Sequence, residues 1–250
     1  MSLYQQAFRY RQKTARKNHH TRSKAQEIGV SALAQLIRYN SPMKNIIFDW
    51  SGVVRDTVPS QVWIVNSIFK KYGVGNMTLE EFRDNWEQPY VNFYKKYLPD
   101  GYDEEERGRA YREALFDTDC PKSSVFAGMA ELIQKLKSKN FFLTVVSSDL
   151  PETLHAEVNE WGLVGMFSEI HANVSDKLEV VQGIINTSVL DPLDTFFIGD
   201  SNHEIDVAKK TGIQSIAVTW GFTSEQKLRA RKPDYIAHNV QELEGLLYKL

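Results

Sequence analysis

Residues 44–57 read KNIIFDWSGVVRDT, and the fold is decided there. Ile46, Ile47 and Phe48 run directly into Asp49, and the small, turn-prone pair Ser51 and Gly52 follows. A short, β-rich apolar run bounded by glycine predicts a buried strand that ends in a sharp turn, leaving the Asp49 carboxylate just past the strand's C-terminal end. In open α/β sheets ligands bind at that edge. An aspartate there also serves as a simple turn cap, so this stretch alone leaves its role open.

Downstream the spacing becomes helical. Val62, Ile64, Val65, Ile68, Phe69 and Tyr72 form an apolar stripe opened by Pro59 and Ser60 and closed by Gly73. Thr78 with Glu81 is a capping-box signature ahead of Phe82, Trp86 and Tyr90. Residues 103–116 place acids before bases, as a helix dipole favours, despite Gly108. Residues 59–119 therefore read as a helical insertion whose aromatics supply its core. From residue 125 onward, helices over 129–138, 151–161, 178–185, 202–211 and 241–250 alternate with strands over 141–146, 168–172, 195–198, 215–218 and 235–237. Such alternation predicts a parallel sheet covered on both faces. The expected fold is α/β: a three-layer sandwich around a parallel sheet, built from residues 43–58 and 120–250, with an inserted α-helical cap domain over residues 59–119.

Composition narrows the class. Of 250 residues, 42% are hydrophobic and 25% charged, which fits an ordinary globular protein. The single cysteine, Cys120, excludes an internal disulfide and a cysteine metal cluster, so a reducing, cytoplasmic setting is expected. No apolar run approaches the roughly 18 residues of a membrane span. Charge is uneven: residues 1–44 hold nine Lys and Arg against one acid, Glu27, whereas the remainder is net acidic. An acidic body argues against nucleic acid as a partner. The basic segment 1–42 lacks the apolar stretch of a secretory signal. Its composition suits an organellar targeting segment, an arm for anionic surfaces or RNA contact, with an amphipathic helix around residues 28–39. Met43, after Ser41 and Pro42, makes it equally an extension irrelevant to the chemistry, with His19 and His20 a solvated doublet.

Polar candidates gather at strand ends. The first strand ends at Asp49, the second at Ser147, Ser148 and Asp149, and the strand over 195–198 at Asp200 and Ser201, with Glu204 and Asp206 following; Lys177 lies beyond the short strand over 168–172. Right-handed crossovers put all such ends on one edge of the sheet, so these groups can converge. Two carboxylates there repel unless a cation lies between them, and hard oxygen ligands suit Mg²⁺ better than zinc. Asp49 and Asp200 are the candidate ligands. A magnesium ion, Lys177, the Ser147 hydroxyl and turn amides together suit a phosphate dianion. Singly, Lys177 reads as a surface lysine, Ser147 as a helix cap and Asp206 as a solvated residue; jointly, four groups at four strand ends favour one site.

These motifs resemble the haloacid dehalogenase superfamily, in its phosphoglycolate phosphatase and β-phosphoglucomutase branch with a helical cap after the first strand. The resemblance covers residues 43–250: IIFDWSGVVRDT, VVSSD with Ser147, DKLEVV with Lys177, FFIGDSNHEIDVAKKTG, and the tail SIAVTWGF with RKPDYIAHNVQEL. It implies Asp49 as nucleophile, Asp200 and the Ser51 carbonyl as magnesium ligands beside Asp49, and Ser147, Ser148 and Lys177 as phosphate-binding groups. Two departures stand out. The second aspartate of the family's phosphatases, the acid/base, is here Ser51, too weak an acid to store a proton near neutrality; losing a positioned acid/base costs about 10²–10⁴ in rate. A further aspartate of the fourth motif is here Glu204, long enough to reach a metal through water. DWSG also resembles the DWAG of phosphonoacetaldehyde hydrolases, whose cap lysine has only Lys95 and Lys96 as counterparts here. The expected function is a magnesium-dependent hydrolase of phosphatase type acting on a small phosphorylated metabolite through an aspartyl phosphate, slowed by Ser51 unless His203 or bulk water moves the proton. The protein would act as monomer or homodimer. The alternative is a catalytically impaired relative that binds a phosphorylated ligand or a protein partner.

Overall fold

A computed structural model describes residues 44–87, 90–188 and 190–250. The expectations for residues 1–42 lie outside these.

Six strands form one sheet: β1 (Asn45–Phe48), β4 (Phe142–Val146), β5 (Glu169–His171), β6 (Thr195–Gly199), β7 (Gln214–Val218) and β8 (Tyr235–Ala237). Their order is β5-β4-β1-β6-β7-β8, and every pairing is parallel. The strand pleat sorts side chains by a period of two. Ile46, Phe48, Leu143, Val145, Phe196 and Ile198 face one helical layer, made by α5 (Met129–Ser138), α6 (Pro151–Glu160) and α10 (Val240–Leu247). Ile47, Phe142, Val146 and Phe197 face the other, made by α7 (Lys177–Ser188) and α8 (Asn202–Thr211). The result is the three-layer α/β sandwich expected from the sequence, with a Rossmann-like parallel sheet.

Between β1 and β4 lie four further helices, α1 (Val58–Lys71), α2 (Leu79–Asn85), α3 (Tyr90–Tyr97) and α4 (Glu104–Leu115). They enclose an apolar cluster of their own, with Ile64, Val65, Ile68 and Phe69 packed against Phe82, Phe93, Tyr94 and Ala110. Phe93 touches Phe69, Phe82, Trp86 and Tyr97, so the aromatics serve as core. The capping box at Thr78 and Glu81 is formed in full. Its helix stops at Asn85, before the Trp86 that continues its stripe in sequence, and Tyr90 opens a fresh helix instead. A two-stranded antiparallel ribbon, β2 (Arg55–Asp56) with β3 (Ser124–Val125), ties the two ends of the insertion together. Neither ribbon strand nor α9 (Glu225–Ala230) is long enough to show a period in the sequence. Among the described residues no helix is long and apolar enough to cross a membrane.

Candidate active site

β1 sits at the centre of the sheet, between β4 and β6, and Phe48 pairs with Val145 on one side and Ile198 on the other. Two residues past that row on the flanking strands are Ser147 and Asp200, so they flank Asp49. Asp49 itself donates its N–H to Ile198 O at 3.0 Å, which carries the ladder one step beyond the strand.

The chain then turns sharply. Trp50 O accepts the N–H groups of Val53, Val54 and Arg55, and Gly52 N–H donates to Arg55 O at 2.8 Å. Gly52 has φ +80°, and a Cβ there would land on Asp200 Oδ2 and crowd the Phe222 ring. Gly221 faces the same carboxylate, and its Cβ would also strike Asp200. Two glycines therefore let backbone close around Asp200, one by its conformation and both by the missing side chain. Gly52→Ala is expected to destabilise the protein by about 2 kcal/mol or more, since the left-handed conformation alone costs an L residue about 1–2 kcal/mol. Denaturant unfolding measures this, and an unchanged midpoint would mean that the turn relaxes freely.

Lys177 opens α7 and turns its ammonium into the protein. Its Nζ lies 2.8 Å from Asp49 Oδ2 and 2.7 Å from Glu204 Oε1, all three groups being buried. Asp49 Oδ1 accepts the Trp50 N–H at 2.7 Å, and Asp200 Oδ2 accepts that of Phe222 at 2.6 Å. Glu204 also closes the capping box of α8, its Oε2 accepting from Ser201 N and Oγ at 3.1 and 2.5 Å. Oxygens of Asp49, Asp200 and Glu204 all lie within 4.8 Å of one another.

Three buried carboxylates thus face one lysine. Burial, with Glu204 adding its charge, pushes Asp49 up to about 7 although Lys177 opposes it. Burial and the charges of Asp49 and Glu204 push Asp200 well above the carboxylate range. Glu204 is held below its usual value because Lys177 and Ser201 outweigh the cost of burying it. Lys177 is raised, since its two carboxylates outweigh burial. The cluster is short of positive charge, and its donors are all hard oxygens, so it fits a hard divalent cation.

Beside this cluster runs a polar network that single-position reading did not anticipate. Asp149 Oδ2 accepts the Ser51 hydroxyl at 2.7 Å and the Ser147 hydroxyl at 2.9 Å, while Arg55 Nη1 lies 3.3 Å from Asp149 Oδ1. Arg55 Nε pairs with Glu157 Oε1 at 2.9 Å, and Glu157 Oε2 accepts the Trp50 indole N–H at 2.7 Å. Trp50 is fully buried and stacked on Trp161 at 5.6 Å, which anchors the network in the core. The only sequence signal for Asp149 was its place at a strand end next to two serines.

The structure brings Asp49, Lys177, Asp200 and Glu204 together, and joins Ser51 to Ser147 through Asp149. Ser148 differs: it is exposed, whereas Ser147 is buried. His203 is exposed on the first turn of α8, and Asp206 pairs with Arg231 at 3.5 Å. Lys95 and Lys96 are exposed, and Lys96 donates to Asn85 at 2.6 Å. The helical layer reaches the site through Arg83, whose Nε and Nη2 donate to Gly221 O and Trp220 O at 2.8 and 2.6 Å. Phe222, next along, packs on Phe82 and Trp86 while its N–H holds Asp200.

Comparison with known proteins agrees with this arrangement. The profile of the haloacid dehalogenase-like hydrolases matches residues 46–218. A phosphoglycolate phosphatase of Synechococcus elongatus is 24% identical over 203 residues, covering 80% of this chain and 95% of the relative. Pyrophosphatase PpaX of Oceanobacillus iheyensis is 25% identical over 211 residues, with 80% and 95% covered. A 5'-nucleotidase of Pseudomonas aeruginosa is 26% identical over 212 residues, with 81% and 95% covered. Among solved structures, a haloacid dehalogenase-like hydrolase of Streptococcus pneumoniae superposes with a TM-score of 0.65 at 24% identity, over 84% of this chain and 99% of that one. A superfamily hydrolase of Geobacter sulfurreducens gives 0.56 at 18%, over 83% and 98%. With the profile spanning most of the sheet and all four strand-end groups inside it, the chain belongs to the haloacid dehalogenase-like hydrolase family.

Proposed function

We propose that this protein is a magnesium-dependent hydrolase of phosphatase type that acts on small phosphorylated metabolites, with Asp49 as the nucleophile. The observation that carries the reading is the buried Asp49–Lys177 contact of 2.8 Å at the end of the central strand, with the Asp200 carboxylate beside it. The relatives named above act, by their names, on phosphoglycolate, pyrophosphate and nucleotides; what these share is transfer of a phosphoryl group to water.

Asp49 and Asp200, with the Ser51 carbonyl, would hold the magnesium ion, and Glu204 would stand behind them. When bound, the ion offsets the negative charge of both the carboxylates and the phosphoryl group. Attack by an Asp49 carboxylate oxygen on phosphorus makes an aspartyl phosphate and expels the leaving group. Lys177 neutralises charge on the Asp49 side throughout. Ser147 would supply a hydrogen bond to a phosphoryl oxygen by turning its hydroxyl away from Asp149 Oδ2. Residues 59–119 would act as a cap that excludes water and selects substrate, tied down by Arg83 and Phe222.

A panel of phosphoesters and phosphoanhydrides, assayed with magnesium and with a chelator, tests this. Release of inorganic phosphate is expected from at least one compound, falling about 10²-fold or more on chelation. Undiminished rates in the chelator would overturn the proposal. Magnesium-dependent thermal stabilisation by phosphorylated ligands without any turnover would select a binding protein instead.

A further inference from the structure

The second aspartate of this family's phosphatases does two jobs, protonating the leaving oxygen and later taking a proton from water, and Ser51 can do neither alone. In this structure, however, the Ser51 hydroxyl is not idle. It donates at 2.7 Å to Asp149 Oδ2, a carboxylate that also accepts from Ser147 at 2.9 Å and faces Arg55 at 3.3 Å. Every partner of Asp149 side-chain oxygens here is a donor. In that arrangement both Asp149 carboxylate oxygens act as acceptors.

We infer that Ser51 and Asp149 restore one of the two jobs: Asp149 accepts, through the Ser51 hydroxyl, the proton of the water that hydrolyses the Asp49 phosphoryl intermediate, while no group protonates the leaving oxygen. The substrates are therefore phosphoryl compounds whose leaving groups depart as stable anions: acyl phosphates, phosphoanhydrides or aryl phosphates. This rests on Asp49 being the phosphoryl acceptor.

The steps balance as follows. In the first, a carboxylate oxygen of Asp49 bonds to phosphorus, the bond from phosphorus to the leaving oxygen breaks, and its electron pair leaves with that oxygen as an anion. In the second, water bonds to phosphorus and the bond to the Asp49 oxygen breaks, its electron pair returning to the carboxylate. The water proton passes to Ser51 Oγ as the Ser51 hydroxyl proton moves to Asp149 Oδ2. Asp149, about a fifth of whose side chain is exposed, then releases that proton to solvent.

Among the described residues, other groups do not fill the missing acid role. Lys177 is held between two carboxylates, and His203 is exposed on the first turn of α8. Tyr111 of α4 has its phenol pushed up chiefly by burial, with the Asp149 charge adding to the rise, and so yields its proton less readily than an ordinary tyrosine. Without an acid, the barrier of the first step follows the basicity of the departing oxygen. An alkoxide is a far poorer leaving group than a carboxylate, phosphate or phenolate.

The test combines leaving-group dependence with pre-steady-state kinetics, using acetyl phosphate, p-nitrophenyl phosphate and glycerol phosphate with magnesium. Wild-type protein is expected to turn over the first two about 10²-fold or more faster than the third, the range a positioned acid normally supplies. Asp149→Asn and Ser51→Ala break the pair from opposite ends, and Ser51→Ala removes only one hydroxyl. Both are expected to keep the initial burst of nitrophenolate, to slow the steady state by about 10-fold or more, and to accumulate phosphate on Asp49. Equal turnover of glycerol phosphate, or burst and steady state falling together in both variants, would overturn the inference and leave the phosphatase reading standing. Failure of every compound to phosphorylate Asp49, in wild type and variants alike, would overturn both.

Discussion

Asp49→Asn is expected to lower phosphate release by about 10³-fold or more, the scale on which removal of an attacking group acts. An amide oxygen is a poor nucleophile toward phosphorus, and Lys177 would then have lost one of its two carboxylate partners. The fold should persist. An asparagine Oδ1 still accepts the Trp50 N–H that Asp49 now accepts at 2.7 Å, and Lys177 keeps Glu204 at 2.7 Å. The change also removes a carboxylate that burial has pushed up to about 7, so the variant should unfold at an unchanged or higher denaturant concentration. Steady-state rates beside an unfolding curve measure both effects. A variant keeping more than about a tenth of wild-type activity would place the nucleophile elsewhere, since that loss falls far below what a removed attacking group costs.

Restoring the second aspartate is the opposite experiment. Ser51→Asp should raise turnover of alkyl phosphates by about 10²–10⁴, the usual worth of a positioned acid/base. The structure adds a condition. The new carboxylate would replace a hydroxyl that now lies 2.7 Å from Asp149 Oδ2. Two carboxylates that close cannot both be ionised, and they would push each other out of position or share one proton. The double variant Ser51→Asp with Asp149→Asn removes the conflict and leaves a hydrogen-bond donor facing the new group. It should show the full gain, and Ser51→Asp alone a smaller one. Rates on glycerol phosphate decide this. No gain in either variant would mean that protonation of the leaving group does not limit turnover.

The local pattern made much of this protein legible. IIFDWSG announces a buried strand ending in a turn because apolar residues, an acid and a glycine each have a physical place there. Alternating helical and strand periods announce a covered parallel sheet, and that sheet's handed crossovers bring Asp49, Ser147, Lys177 and Asp200 to one edge. Ser148 looked as good as Ser147, but the pleat decides which of two adjacent serines turns inward, and position 148 faces solvent. The loop carrying Gly221 and Phe222 showed no sign of its role, because a glycine's purpose is visible only against what would collide with a Cβ.

What the sequence by itself determined is the residue inventory and the order of elements, because apolar periodicity and turn chemistry act between near neighbours along the chain. What only the tertiary structure decided is pairing: Ser51 with Asp149 across 98 positions, Lys177 between Asp49 and Glu204, and Arg83 on the carbonyls of Trp220 and Gly221. Such contacts depend on side-chain direction at ångström range after the sheet has assembled, and no spacing along the chain encodes them.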